Sequence, residues 1–293
     1  MLFIKIKRPI HNQGDKMSVL QAFIQGVVQG LTEFLPVSSS GHLSLVQHFM
    51  NIEDGGVFFS VLLHLGTLVA VLIAFFSQIK DIVIELFAML GDIFRGKFKL
   101  SGCSPVRRMI FMFILSLLPL LLLFPFKDHF NSVAEDSDII FEGVCFLYMA
   151  AYLFIADRVM RRPARVTEVT PGRALFIGAM QGVALLPGVS RSGSTIGAGV
   201  LTGVDKQTMV GYSFILGIPV ILASAVTEGI DAVNEGLNLD LAPTLVGFFT
   251  AMIVGWLAIK LLSWMMKNDK LWIFSVYLCL IGGFSVIGGI CGL

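Results

Sequence analysis

The chain has 293 residues, of which 56% are hydrophobic and 14% charged, and its formal net charge is +1. Soluble domains carry about a quarter charged residues, so the composition excludes an ordinary water-soluble enzyme. The charges gather between long apolar runs, which points to an all-α integral membrane protein with the bilayer itself as a partner. Net charge names no further partner, and no nucleic-acid partner is expected.

Residues 1–16 carry Lys5, Lys7, Arg8 and Lys16 but lack the long apolar core and small-residue cleavage site of a signal peptide. They read as an N-terminal tail, dispensable or artefactual, ahead of a single membrane domain over 17–293, and Met17 would serve equally well as a start. From there Gln21, Gln25, Gln29 and Glu33 recur every fourth residue, so on a helix they form one polar stripe. In a bilayer such a stripe turns toward protein or a water-filled cavity, and a carboxylate in it is a functional-site candidate. Pro36 ends that helix because it has no amide hydrogen for the ladder. Ser38-Ser39-Ser40-Gly41 supplies hydroxyls, backbone N–H groups and a permissive glycine at the turn, and His42 opens the returning half-helix.

A spanning helix needs about 20 mostly apolar residues. Six windows meet or approach that: Val57–Ile79, Met109–Phe126, Ile139–Ala156, Gln207–Thr227, Leu241–Ile259 and Leu271–Leu293. Ile82–Phe94 is shorter and carries Glu85 and Asp92, so it reads as a helix lying at the interface. Cys103, Cys145, Cys279 and Cys291 show no metal-ligand spacing and read as small buried apolar residues. His64, in mid-span, is placed to line the cavity, but a satisfied interior histidine is the favoured reading. Gly66, Gly143, Gly211, Gly217 and Gly255 read as helix-packing contacts.

Between the third and fourth windows lies a second broken segment, Gln181-Gly182-Val183-Ala184-Leu185-Leu186-Pro187-Gly188-Val189-Ser190-Arg191-Ser192-Gly193-Ser194-Thr195. Like the first, it begins Gln-Gly, reaches Leu-Pro and arrives at Ser-Gly with the same offset, Gln29 to Gly41 and Gln181 to Gly193; only the proline slips by one position. A further echo pairs Phe59-Ser60-Val61-Leu62-Leu63 with Tyr212-Ser213-Phe214-Ile215-Leu216.

Loop charge sets the orientation. The Lys80–Arg108, Asp157–Arg173 and Ile259–Leu271 connections are basic, whereas those holding Glu53 and Asp54, then Asp128, Glu135, Asp136 and Asp138, then Glu228, Asp231, Glu235 and Asp240 are acidic. Basic loops stay cytoplasmic, and the two kinds alternate across all six windows. Ser18–Met50 then enters from outside and returns there, while Arg173–Lys206 does the same from the cytoplasm. The expected fold is an inverted-topology repeat, each half a re-entrant helical hairpin plus three transmembrane helices. Repeat one covers about 17–157 and repeat two about 173–293. The basic tail before Met17 would fall outside, against the rule.

An arginine inside a membrane needs an anionic partner, and its planar fork suits phosphate or carboxylate. Glycine-rich turns leading into helix N-termini also favour phosphate. Glu33, Arg191 and the two hydroxyl-rich turns therefore read as a phosphate site at the midplane, with an Arg191–Glu33 ion pair locking the hairpins as a compatible second role.

Gln29-x-x-x-Glu33-Phe34-Leu35-Pro36-Val37-Ser38-Ser39-Ser40-Gly41-His42, with the distant Pro187-Gly188-Val189-Ser190-Arg191-Ser192-Gly193-Ser194-Thr195, closely resembles the bacterial undecaprenyl pyrophosphate phosphatases, also called bacitracin resistance proteins. The resemblance covers essentially the whole chain from Met17. It implies hydrolysis of undecaprenyl pyrophosphate to the monophosphate and phosphate, recycling the lipid carrier of cell-wall synthesis, with a divalent cation (Mg2+ or Ca2+). It also implies a multi-pass protein of the bacterial plasma membrane whose active site faces the outer leaflet. Glu33 matches the firmly acidic position of the motif, and Gln29 stands where the family uses Glu or Gln; these two are the expected metal ligands. Ser39, His42, Ser190, Arg191 and Thr195 match the remaining functional positions. Ser39, with His42 or Glu33 as base, is favoured as nucleophile over His42 itself, and Ser38, Ser190, Arg191, Ser192, Gly193 and Thr195 are the expected phosphate contacts.

Type-2 phosphatidic acid phosphatases also use a Ser-Gly-His turn and a Ser-Arg pair, but the His and Asp they need beyond the Arg are Gly197 and Leu201 here. A rhomboid-like protease would need a Gly-x-Ser-x-Gly turn, which is missing. The alternative that remains is a polyprenyl-phosphate flippase using the same midplane site. Transport has no use for a nucleophile and base, so Ser39 and His42 beside Glu33 favour hydrolysis.

Overall fold

A computed structural model describes residues 17–50, 57–98, 102–126, 138–162, 166–235 and 240–291. The tail before Met17 and the loop residues Glu53, Asp54, Asp128, Glu135 and Asp136 lie outside the described residues, as do the side chains of Asp138, Glu228, Asp231 and Glu235. Among the described residues are eleven α-helices: α1 Val19–Phe34, α2 Ser39–Met50, α3 Val57–Ala74, α4 Phe76–Phe94, α5 Pro105–Leu123, α6 Asp138–Met160, α7 Pro171–Val183, α8 Arg191–Leu201, α9 Lys206–Glu235, α10 Leu241–Lys267 and α11 Trp272–Cys291. A short 3-10 turn, Phe124–Phe126, extends α5, and one isolated bridge joins Val166 to Val204.

Among the described residues five helices (α5, α6, α9, α10 and α11) are long and apolar enough to cross a membrane, so the chain is an all-α integral membrane protein. The window expected to run straight over Val57–Ile79 does not. It breaks at Phe75, and α3 and α4 meet at 88°. The Phe75 ring turns inward to within 5.9 Å of Phe214, and the chain beyond it becomes polar at Ser77, Gln78, Lys80 and Asp81. As a result α4 starts at Phe76, ahead of the expected Ile82. It is amphipathic as an interfacial helix should be: Ile82 and Met89 pack on Ile110 and Ile215 while Phe87 and Phe94 face out. Its Glu85 and Asp92 hold Arg107 at 2.6 and 2.8 Å, fastening α4 to α5.

Small residues let the spanning helices close on one another. On α1, a Cβ at Gly26 or Gly30 would meet the Gly247 or Ala251 carbonyl of α10 at 2.8 Å. On α7, Gly178 and Gly182 bring the helix against Ser116, Pro119 and Leu123 of α5 in the same way. Each hairpin therefore leans on a long helix from the other half of the chain. Between α6 and α11, a Cβ at Gly143 would lie 3.0 Å from the Gly282 carbonyl, and Asp157 accepts from the Trp272 amide at 3.0 Å, satisfying one free donor at the start of α11. The same carboxylate bonds Arg161 and pushes its pKa up.

Two details of the sequence reading need correction. Only Cys145 among the cysteines is buried; Cys279 and Cys291 face outward on α11, where an apolar thiol is at home against lipid. Gly217 does not receive a neighbouring helix; its bare Cα lies against the Arg191 guanidinium.

Candidate active site

The first hairpin breaks at its proline, whereas in the second α7 ends at Val183 and tightens into turns over residues 184–186 before Pro187. Leu35, directly before Pro36, is extended (ψ 143°), and α1 stops at Phe34. Ser38 then takes a left-handed φ of +74°, which costs a non-glycine residue about 1–3 kcal/mol. Its Oγ accepts from the Gly41 amide at 3.4 Å. Because α2 already begins at Ser39, His42 lies inside its first turn rather than at its start. In the second hairpin, Gly188 supplies the left-handed residue (φ +88°), and Ser190 Oγ caps α8 by accepting from the Gly193 amide at 3.1 Å. Arg191 is thus the first residue of a helix whose free amides and dipole face the same way as its side chain begins.

The two turns touch. The Gly188 amide donates to Ser40 Oγ at 3.3 Å, Ser192 Oγ donates to the Leu35 carbonyl at 3.3 Å, and a Cβ at Gly41 would lie 3.3 Å from the Gly188 Cα. This contact brings together residues 158 positions apart: Arg191 Nη2 donates to Glu33 Oε1 at 2.6 Å. Ser39 Oγ donates to the other carboxylate oxygen, Oε2, at 2.9 Å, and Gln29 Nε2 donates to the same oxygen at 3.2 Å. The side chains of Glu33 and Arg191 are only 7% and 16% exposed. Glu33 is therefore an acceptor shared by a guanidinium, a hydroxyl and an amide. Arg191 Nη1 and Gln29 Oε1 are both buried with no protein partner. A charged donor and an amide acceptor left unpaired in the interior call for a ligand, an ion or water.

The other expected residues stand one layer back. Ser190 and Ser192 hydroxyls lie 3.2 Å apart, and Thr195 Oγ1 bonds the Arg191 carbonyl at 3.0 Å and Ser213 Oγ at 2.6 Å. Together with Ser38 and Gly193 they are buried and brace the turns that aim Ser39 and Arg191. His42 bonds away from Ser39. Its Nδ1 donates to the Ser38 carbonyl at 2.8 Å, and its Nε2 accepts from the Tyr277 hydroxyl at 2.7 Å, with the two rings stacked.

Sequence reasoning missed Tyr277 and Ser213 and, for His64, favoured the interior over the cavity. His64 Nε2 faces Glu33 Oε2 at 4.0 Å, while its Nδ1 donates to the Ser60 carbonyl at 2.9 Å. The echo between Ser60 and Ser213 was the available signal, since His64 and Gly217 each stand four residues beyond it. Among the described residues no cluster of three or more His, Cys, Asp or Glu could hold a metal. Any cation here would rely on Glu33 and an amide oxygen.

Comparison with known proteins matches residues 22–284 to the model of the family described as bacitracin resistance protein BacA. The chain belongs to the BacA family. It is 35% identical to an undecaprenyl-diphosphatase of Desulforapulum autotrophicum over 276 residues, 93% of this chain and 99% of that one. Similar matches are to proteins of the same name from Carboxydothermus hydrogenoformans (35%, covering 91% and 95%) and Methanobrevibacter smithii (35%, covering 94% and 99%). The BacA match takes in both hairpins, save the first residues of α1, and every helix among the described residues that could span a membrane, save the final turns of α11.

Proposed function

We propose that this chain hydrolyses undecaprenyl pyrophosphate to undecaprenyl phosphate and inorganic phosphate. The observation that carries the reading is the Ser39 hydroxyl donating to a buried carboxylate whose other oxygen is held by Arg191. A nucleophile, its base and a phosphate-binding fork meet at one point. Substrate phosphate draws the Arg191 fork onto its oxygens, with Nη1 already unpaired. Glu33 takes the proton from Ser39 Oγ as that oxygen bonds to the terminal phosphorus, and the anhydride bond breaks to release the lipid monophosphate. A water then displaces Ser39 and frees phosphate. Both nitrogens of His42 are engaged elsewhere, so Glu33 is the better base, and His42 with Tyr277 steadies the start of α2.

A divalent cation fits the oxygen set formed by Gln29 Oε1 and Glu33, because the amide oxygen is buried without a partner and hard cations complete their shells with substrate phosphate and water. Such an ion would neutralise charge on the diphosphate. The loop charges favour a plasma-membrane orientation with the first hairpin open to the outer leaflet, and the exchange of packing partners between halves is what an inverted repeat would produce. A flippase would need the arginine and the turns but has no use for the Ser39–Glu33 bond.

The test is phosphate release from undecaprenyl pyrophosphate by purified protein in detergent, with and without chelator. Loss of release in Ser39→Ala and Arg191→Ala, in protein that still folds, is the expected result. Substrate binding without release by the parent chain would move the reading to a carrier.

A further inference from the structure

We propose that His64 holds the water that dephosphorylates Ser39, an inference that rests on Ser39 as nucleophile. His64 sits on α3, outside both hairpins, and its Nδ1 is satisfied within its own helix by the Ser60 carbonyl. With the proton on Nδ1, the Nε2 lone pair is left over from the fold, and it points at Glu33 Oε2 from 4.0 Å. Two acceptors facing each other at that distance repel unless a donor lies between them. A water bridging two acceptors with ordinary hydrogen bonds spans about 4.4 Å, so the gap suits one water. The His64 side chain is 27% exposed, so protein does not seal the gap from that side. His42, by contrast, has both nitrogens occupied.

The sequence of events explains why a second acceptor is needed. In the first half-reaction Glu33 Oε2 receives the Ser39 proton and turns from a charged acceptor into a hydroxyl, which weakens its hold on water. His64 Nε2 is then the group that keeps a water in place with its own lone pair turned to phosphorus. The water oxygen bonds to phosphorus and the phosphorus–Oγ bond breaks with its electron pair on Oγ. Glu33 returns its proton to Oγ, and both hydrogens of the water leave on dihydrogen phosphate. His64 acts through the water it orients, without itself gaining or losing a proton overall.

The experiment follows full-length protein in detergent with undecaprenyl pyrophosphate labelled in its terminal phosphate, quenched rapidly to count label on the protein and label released. For His64→Ala the covalent phosphate forms at the parent rate, accumulates, and decays about 100-fold more slowly, the scale of misplacing a reacting group. His64→Gln decays within about threefold of the parent, because an amide oxygen also accepts. The unchanged first half-reaction shows that the variant is folded. Decay in His64→Ala as fast as in the parent overturns the inference. So does equal slowing of both half-reactions with no rescue by Gln, which would make His64 structural. A different failure is visible in the parent: no label on the protein, and release persisting in Ser39→Ala, would refute the serine nucleophile and this inference with it.

Discussion

At the scale of single residues, the Glu33–Arg191 pair has two separable roles. Removing one partner of a buried ion pair strands the other and costs about 3–5 kcal/mol, whereas removing both can be nearly neutral. Arg191→Met is therefore expected to lower the thermal midpoint in detergent, and Glu33→Gln/Arg191→Met to regain most of the loss while releasing no phosphate. Activity in the double variant would show the pair to be only a lock. Tyr277→Phe removes the donor to His42 Nε2 and is expected to cost about 1–3 kcal/mol of stability, read by the same melt, because a buried acceptor is left unmet. The two cases also differ in how legible they were. Charges in an apolar chain announce themselves, so Glu33 and Arg191 stood out at once. Tyr277 is 235 residues from His42, and a tyrosine in a spanning helix carries no local mark of its partner. His64 fell between, visible as polar but with nothing nearby in sequence to say that Glu33 faced it.

At the scale of elements, backbone chemistry was readable and tertiary turns were not. Pro36 stops α1 because proline lacks a donor, a property of the residue alone, whereas α7 ends at Val183, ahead of Pro187. The right-angle bend at Phe75 has neither proline nor glycine behind it and depends on a ring finding Phe214 far along the chain. The fit of α1 against α10 is equally a matter of neighbours. At Gly30 a Cβ would meet backbone on both sides, the Ala251 carbonyl at 2.8 Å and the Gly255 amide at 2.9 Å. Gly30→Val is expected to push α1 away, lowering the melting midpoint and abolishing phosphate release, since Glu33 follows within one turn. Gly91 on α4 has nothing within 4 Å of its Cβ position, so Gly91→Ala is expected to be neutral or to stabilise by up to about 1 kcal/mol. Equal damage from both substitutions would mean that α1 is not held by this contact.

At the scale of the whole molecule, orientation is open to direct test. Cys103 lies in the basic connection before α5, and Ser18 is exposed at the start of α1. With a membrane-impermeant maleimide on intact cells, Cys103 is expected to react only after permeabilisation. Ser18→Cys in a Cys103→Ser background is expected to react without it. The reverse pattern would turn the molecule over and place the first hairpin on the cytoplasmic side. Whichever way the chain sits, its carboxylate and its phosphate-binding fork lie on different halves and meet only at the tips. The first half holds Ser39 and Glu33 and the second supplies Arg191, so a change at one charge is answered for by the other. Among descendants of this sequence, the two positions are expected to be inherited as a single unit.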